Sequence, residues 1–411
     1  MIPDLGVSRV LLLQGPAGPF MKRFAQELRG SGMEVTKVNF HAGDQFFYSG
    51  PDALAFYGDQ SEWPAFVREL MRARSIDGLV VFGDCRPLHK AAIEEARKLD
   101  VRVFALEEGY LRPNWITLEE HGVNGNSRMS RDPDFYRSLE LPEVERPQEV
   151  GQRWQLMSWF STLNALAFTL MNQSFSRYEH HRSLNSWYHA FVHVRSVVRK
   201  EIFLARESHL VEHFTGELRN RFFLVPLQVH CDFQLLHSPY DDMLDFVREV
   251  AATFAREARP DQAIVFKHHP MDRAYREYRT FFEDLARQHG LEGRLYYIHD
   301  LHLPTLLDAA LGTITINSTV GLQSMEHATP VIALGTAVYD MPGLTFQGTL
   351  PEFLSDPGVV DEQLYDALVR YLLNVNQING SFYKVLPSRD NPTGSRWFPM
   401  GPREFERRFG S

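Results

Sequence analysis

Val7–Phe40 reads VSRVLLLQGPAGPFMKRFAQELRGSGMEVTKVNF. The apolar run Val7–Gln14 stops at Gly15-Pro16-Ala17-Gly18-Pro19. Phe20–Arg29 then places Phe20, Phe24 and Leu28 on one helical face. Gly30 and Gly32 end that helix, and Val35–Phe40 reads as the next strand. Strand, glycine loop, helix and strand in that order open an α/β unit with a parallel sheet.

The same grammar continues outward. Trp63–Arg74 is helical, Gly78–Phe82 (GLVVF) is a buried strand ending in Gly83-Asp84, and Leu88–Leu99 is helical. Val101–Leu106 is a strand that runs into Glu107-Glu108-Gly109-Tyr110. Asn114–Pro147 reads as loop, with Asn-Gly-Asn at 124–126 and scattered prolines. Gln152–Glu217 has no strand signal and is aromatic: Trp154, Trp159, Phe160, Phe168, Phe175, Tyr178, Trp187, Tyr188 and Phe191. Arg177, Arg182, Arg195, Arg199, Lys200 and Arg206 interleave with its second half. A helical packing layer with a solvated basic face explains this composition, and so does contact with an anionic membrane surface.

A second α/β unit begins at Arg221. Its strands are Phe222–Leu227, Ala263–Lys267, Leu295–Ile298, Gly312–Ile316 and Pro330–Leu334. Its helices are Met243–Arg256, Arg276–His289, Leu303–Ala310, Gly321–His327 and Asp361–Val375. The expected fold is α/β, with two Rossmann-like domains facing a cleft (GT-B-like) and a helical segment between them. The expected boundaries are 1–150, 151–220 for the helical segment and 221–380. A polar tail at 381–411 can pack back on the first domain.

A chain of 411 residues exceeds a single core, which agrees with two domains. The net charge of −9 argues against a general nucleic-acid binder, since that role needs cations to displace counterions. Cys85 and Cys231 lie far apart and suggest reduced thiols rather than a disulfide scaffold. No Cys/His spacing fits zinc, and no metal site is expected. The first residues lack a basic n-region, and no run reaches the ~18–20 apolar residues of a spanning helix. A cytoplasmic protein is expected, with room for peripheral membrane contact.

Ligands of open α/β sheets sit beyond the carboxyl ends of strands, so polar residues there are the candidates. Lys267-His268-His269-Pro270 follows a strand, and Pro270 stiffens a loop whose histidines can donate to phosphate. A plain pair of half-exposed loop histidines also fits. Asn317-Ser318-Thr319 stands where a strand hands over to a helix, a place for a phosphate cradle or an ordinary N-cap. Gln228 and Asp232 lie just past the first strand of the second domain. Asp232 can attack an anomeric carbon, or merely cap the following turn. Glu107 and Glu108 offer a general base if burial raises a pKa, and Arg112 can grip a carboxylate; a solvated pair and a salt bridge are the plainer alternatives. Gln14 and Gly15 open a loop that is neither a dinucleotide fingerprint nor a P-loop, and Asp84 ends another strand.

The stretches QGPAGPF, FGDCRP, EEGYLRPNWITLE, GVNGNS, PLQVHCD, KHHP, INSTVGL and LGTAVYDMPGLT together resemble the KpsS-type capsular polysaccharide proteins, relatives of the KpsC-type β-Kdo transferases. The resemblance spans roughly the whole chain and is weakest in the helical middle and the tail. It implies a retaining β-Kdo transferase that uses CMP-β-Kdo and begins the poly-Kdo linker of capsule on a phosphatidylglycerol-type lipid, at the inner face of the inner membrane. A KpsC-type transferase and the capsule export complex are the implied partners.

Carried over residue by residue, the resemblance makes 1–150 the acceptor side and 221–380 the CMP-sugar side. Gln228, Lys267, His269, Pro270, Asn317, Ser318 and Thr319 become donor-binding residues, Asp232 the nucleophile, Glu107 or Glu108 the base, and Arg112, Gln14, Gly15 and Asp84 acceptor or sugar-carboxylate ligands. The family modules carry Glu where Gln323 stands here, so Glu326 is the substitute candidate for the ribose. No cofactor and no metal are implied. A CMP-sialic-acid transferase and a non-catalytic export component are the competing readings.

Overall fold

The computed structural model describes residues 2–151, 154–175, 177–178, 186–230, 232–387 and 389–409; for 186–191 and 193 it describes the backbone alone. Arg182 and Cys231, and the side chains of Trp187, Tyr188 and Phe191, lie outside the described residues. The chain forms two compact units. Unit 1 comprises Met1–Arg128, Glu140–Phe191 and Arg370–Ser411, and unit 2 comprises Met129–Leu139 and Val192–Val369.

Unit 1 opens with β1 (Arg9–Leu12), β2 (Glu34–Asn39), β3 (Ala53–Ala55), β4 (Gly78–Phe82), β5 (Arg102–Glu108) and β6 (Trp115–Glu120). Unit 2 holds β7 (Phe222–Pro226), β8 (Ala263–Lys267), β9 (Leu295–Ile298), β10 (Gly312–Thr315) and β11 (Val331–Ala333), and the chain then returns to unit 1 with β12 (Gln377–Asn379). The sheet orders are β12-β6-β5-β4-β1-β2-β3 and β11-β10-β7-β8-β9. The first five strands of unit 1 and all five of unit 2 are parallel and share one doubly wound order. In each unit that order reverses beside the first strand, between β1 and β4 and between β7 and β10. The α/β class with Rossmann-like sheets is therefore correct.

Pleating explains how such short strands build cores. Val10, Leu12, Val80, Phe104 and Leu106 bury on one face of the unit 1 sheet, under Phe20, Phe24 and Leu28. Their neighbours Leu11, Leu13, Leu79, Val81, Val103 and Ala105 bury on the other, under Trp63, Val67 and Ile93. In unit 2, Phe223, Val225, Ile264 and Phe266 face one core while Phe222, Leu224, Ala263 and Val265 face the other. Each fully buried side chain of this kind contributes roughly 1.5–3 kcal/mol.

Two strands differ from the sequence reading. Trp115–Glu120 stands inside the stretch read as loop, yet β6 pairs antiparallel with β5. β12 pairs antiparallel with β6, setting Gln377 against Thr117 and Ile378 against Ile116. The physical reason is a polar seam. Gln377 Oε1 accepts from the Tyr110 amide at 3.0 Å and its Nε2 donates to Thr117 Oγ1 at 3.0 Å. Asn379 Nδ2 donates to the carbonyls of Asn114 and Gln148 at 2.9 and 3.0 Å. Buried side-chain amides replace the apolar alternation that marks a strand.

The tail after β12 completes the same unit. Glu27 on helix Phe20–Gly30 accepts from Trp397 Nε1 at 2.7 Å, Asn391 Nδ2 at 2.6 Å and Thr393 Oγ1 at 2.6 Å. Trp397 stacks on Phe24, with ring centroids 5.6 Å apart. Within the polar tail, Pro402–Phe409 is a helix.

Candidate active site

The carboxyl ends of β7 and β10 flank the reversal point of unit 2. Gln228, just past β7, donates from Nε2 to Asn317 Oδ1 at 3.0 Å and to Asp232 Oδ2 at 3.1 Å. Asn317, just past β10, donates from Nδ2 to the Gln234 carbonyl at 2.9 Å. Asp232 Oδ1 accepts from the Gln234 amide at 3.0 Å and caps the short 3-10 turn Phe233–His237. Capping and orientation are thus one arrangement, holding a half-buried carboxylate in a fixed pose. Gln228 Oε1 is buried without a hydrogen-bond partner among the described residues, so it can accept from a ligand.

Beside it, the loop after β8 carries the histidines. His268 is buried, with Nδ1 2.7 Å from the Tyr297 hydroxyl, and burial pushes its pKa down to about 3, so the ring stays neutral. His269 is half-buried, and its Nδ1 accepts from the Met271 amide at 3.1 Å, which fixes the ring's orientation. Pro270 is exposed. Lys267 turns inward: its Nζ donates to the His299 carbonyl at 2.7 Å, and burial lowers its pKa to about 8. Its ammonium thus braces the loops rather than facing out of the strand end.

Ser318 and Thr319 are half-buried, and Thr319 precedes helix Val320–Glu326 without capping it through its side chain. Ser318 Oγ accepts from the Val320 amide at 3.2 Å, and the Ser318 carbonyl accepts from the Tyr339 hydroxyl. Glu326 is exposed in the last turn of that helix, roughly 10 Å of helix rise from Thr319, and the structure does not bring it to the strand end.

A charged network supports the floor of this region. His299 Nδ1 lies 2.6 Å from Glu207 Oε1 and its Nε2 3.4 Å from Glu277. Burial opposes its charge, but the two carboxylates outweigh burial and raise its pKa. Arg273 pairs with Asp300, and Phe203 stacks on His299 with centroids 3.6 Å apart.

In unit 1 the reversal point is more closed. Gln14 follows β1 and is buried, its Nε2 2.7 Å from His41 Nε2. His41 caps helix Ala42–Phe47 by accepting two amides at Nδ1 and lies 3.7 Å from Asp44. Gly15 is required by close approach: a Cβ there would fall 2.2 Å from Met21 Cγ. Asp84 is buried, and its Oδ2 accepts from the Val123 amide at 2.9 Å and Asn126 Nδ2 at 3.1 Å, so it pins the 123–126 loop. Cys85 beside it is no nucleophile, because burial and then the Asp84 charge push its thiol up to about 12. Glu107 is half-buried, and desolvation raises its carboxyl to about 7 despite the Glu108 amide that donates to it at 3.1 Å. Glu108 is half-buried and Arg112 exposed.

The family whose description is capsule polysaccharide biosynthesis protein matches residues 77–383. Capsule polysaccharide export protein KpsS of Escherichia coli is 39% identical over 384 residues, covering 92% of this chain and 98% of that one. The chain belongs to the capsule polysaccharide biosynthesis family. Capsule polysaccharide modification protein LipB of Neisseria meningitidis serogroup B is 36% identical over 399 residues, covering 95% of each chain. Among solved structures, the β-Kdo 2,7 transferase of Thermosulfurimonas dismutans KpsC is similar at a TM-score of 0.39 and 15% identity, over 89% of this chain and 99% of that one.

The strand-end loops of each unit of this capsule family member hold residues that sequence reasoning did not assign. Asp272, two positions after Pro270, is 1% exposed and binds His230. Gln234 supplies both the capped amide and the carbonyl that Asn317 reaches. His41 and Asp44 sit at the end of β2, beside Gln14. The K-H-H-P-x-D spacing was the available signal for Asp272, and the others show only once the loops are folded. Among the described residues no group of His, Cys, Asp and Glu is arranged to hold a metal ion, and no helix is long and apolar enough to cross a membrane.

Proposed function

We propose that this capsule family member is a retaining β-Kdo glycosyltransferase that moves Kdo from CMP-β-Kdo to a (lyso)phosphatidylglycerol-type lipid, beginning the poly-Kdo linker at the inner face of the inner membrane. The observation that carries the reading is the Gln228 amide joining Asp232 to Asn317 across the reversal point of unit 2. A carboxylate held by side-chain and backbone donors at that place is a fixed nucleophile, in the position where α/β sheets bind nucleotides.

In this reading His269, Ser318 and Thr319 hold the CMP phosphate and stabilise its charge as it leaves. Asp232 attacks C2 of Kdo, and the acceptor hydroxyl then displaces Asp232, so two inversions restore the β configuration. The raised carboxyl of Glu107, in unit 1, is the base assigned to the acceptor hydroxyl, with Glu108 beside it. CMP carries one phosphate, and protein donors suffice for it, so no divalent metal is required. A KpsC-type transferase that extends the product, and the capsule export complex, are the proposed partners.

The test is transfer itself. The purified protein is given a CMP-Kdo-generating system and a fluorescent phosphatidylglycerol analogue, beside Asp232→Ala, with the transferase assayed with and without chelator. A product one Kdo heavier from the wild type alone, unaffected by chelator, supports the reading. Turnover of CMP-sialic acid in preference to CMP-Kdo would replace the donor. A wild type that neither binds CMP nor makes product would leave a non-catalytic export component.

A further inference from the structure

His230 stands two residues before Asp232, and the Asp232 amide closes the turn between them by donating to the Val229 carbonyl at 2.9 Å. Its Nδ1 lies 2.6 Å from Asp272 Oδ1, and its own backbone amide donates to Asp272 Oδ2 at 2.7 Å. Asp272 is 1% exposed, whereas the His230 side chain is 28% exposed. A buried carboxylate that takes both oxygens' bonds from one histidine fixes that ring's tautomer and rotation. Nδ1 carries its hydrogen toward Asp272, which leaves Nε2 as the other ring nitrogen of a side chain that is 28% exposed.

We propose that His230, oriented by Asp272, is a catalytic proton donor to the leaving phosphate, a role that rests on the CMP-Kdo reading above. In the first displacement an Asp232 oxygen bonds C2 of Kdo while the C2–O bond to phosphate breaks. The electron pair stays on that phosphate oxygen, and the proton on His230 Nε2 passes to it. CMP leaves protonated, and His230 remains neutral, still bonded through Nδ1–H to Asp272. The second displacement returns the Asp232 carboxylate, the acceptor proton goes to the base on the acceptor side, and His230 regains its proton from water.

Two loops, one after β7 and one after β8, thus supply nucleophile, acid and orienting carboxylate as one assembly. Nucleophile, proton carrier and a third group that orients the carrier is the arrangement that acyl and glycosyl transfer use repeatedly. Among the described residues, Asp272 bonds the ring and Tyr275 stands with its ring 6.1 Å away, both from the loop after β8, while Asp232 lies two residues along the His230 loop. A simple staple between two loops would use the same bond, so the test must read more than stability.

CMP release from CMP-Kdo is measured as a function of pH for wild type, His230→Gln and Asp272→Asn, with CMP affinity and thermal midpoint measured alongside. The expected result is a ~10²–10⁴-fold slower release in His230→Gln with CMP affinity and midpoint retained. The alkaline limb of the wild-type profile should vanish in that variant. In Asp272→Asn release should also slow with CMP affinity retained, because the ring loses the carboxylate that orients it; a structural staple would lower the midpoint without slowing release. His230→Gln that releases CMP at the wild-type rate, or that loses CMP binding and midpoint together, overturns the proton donor while the transferase reading stands. A wild type that binds CMP and releases none from CMP-Kdo overturns both.

Discussion

The two parallel sheets share a strand order, but their reversal points spend polar side chains differently. In unit 1 the side chains turn inward on the protein: Asp84 pins the 123–126 loop, and Gln14 meets His41. In unit 2, Gln228 ties Asp232 to Asn317, while a Gln228 oxygen has no hydrogen-bond partner among the described residues and His230, Asp232 and His269 stay partly exposed. The lesson is that a carboxylate at the right strand end is not yet a site. What separates Asp84 from Asp232 is whether its neighbours consume it or aim it.

That contrast can be broken most directly at Asp232. Asp232→Ala should abolish transfer, on the order of 10⁴-fold in rate, while CMP binding by calorimetry persists. Asn317→Ala comes next. It strips the acceptor from Gln228 and leaves the Gln234 carbonyl without its donor, so denaturant melts should show a loss of about 1–3 kcal/mol and CMP binding should weaken. Asp84→Ala should cost a similar ~1–3 kcal/mol by releasing the Val123 amide, yet leave CMP affinity unchanged, which sets the two carboxylates apart.

Glu107 sharpens the comparison through pH. Its folded pKa of about 7 lies above its ordinary 4.5, so the native state holds the proton more tightly than the unfolded chain. Stability from this group is present below about 4.5 and is lost as pH rises to about 7. Glu107→Gln should flatten that part of the stability–pH curve and remove the transfer activity that rises as pH passes through about 7. The smallest effect belongs to Glu326→Gln. On an exposed last turn it should change stability by within ~0.5 kcal/mol and leave transfer kinetics unchanged.

Much of this was legible in the sequence because parallel strands are apolar runs that end in polar loops. Gly78–Phe82 and Ala263–Lys267 match their strands to the residue. The order of motifs also carried the family. The parts that did not read were polar and long-range. β12 is Gln-Ile-Asn, and its stability lies in amide contacts to Thr117 and Tyr110, far away in sequence. The role of Glu27 could not be read locally, because its partners Trp397 and Thr393 come from far along the chain. Lys267 stands among the expected donor-binding residues, while in the structure β8 is buried and the Lys267 ammonium bonds the His299 carbonyl. The Asp272 bond to His230 joins two loops whose proximity only the adjacent pairing of β7 and β8 creates.

The central claim is that Asp232 forms a covalent bond to the sugar. Wild type and Asp232→Ala would be quenched during turnover of CMP-Kdo, digested, and mapped by mass. The account expects one Kdo on the peptide that contains Asp232 in the wild type, and neither adduct nor lipid product in the variant. Lipid product from Asp232→Ala at the wild-type rate would contradict it.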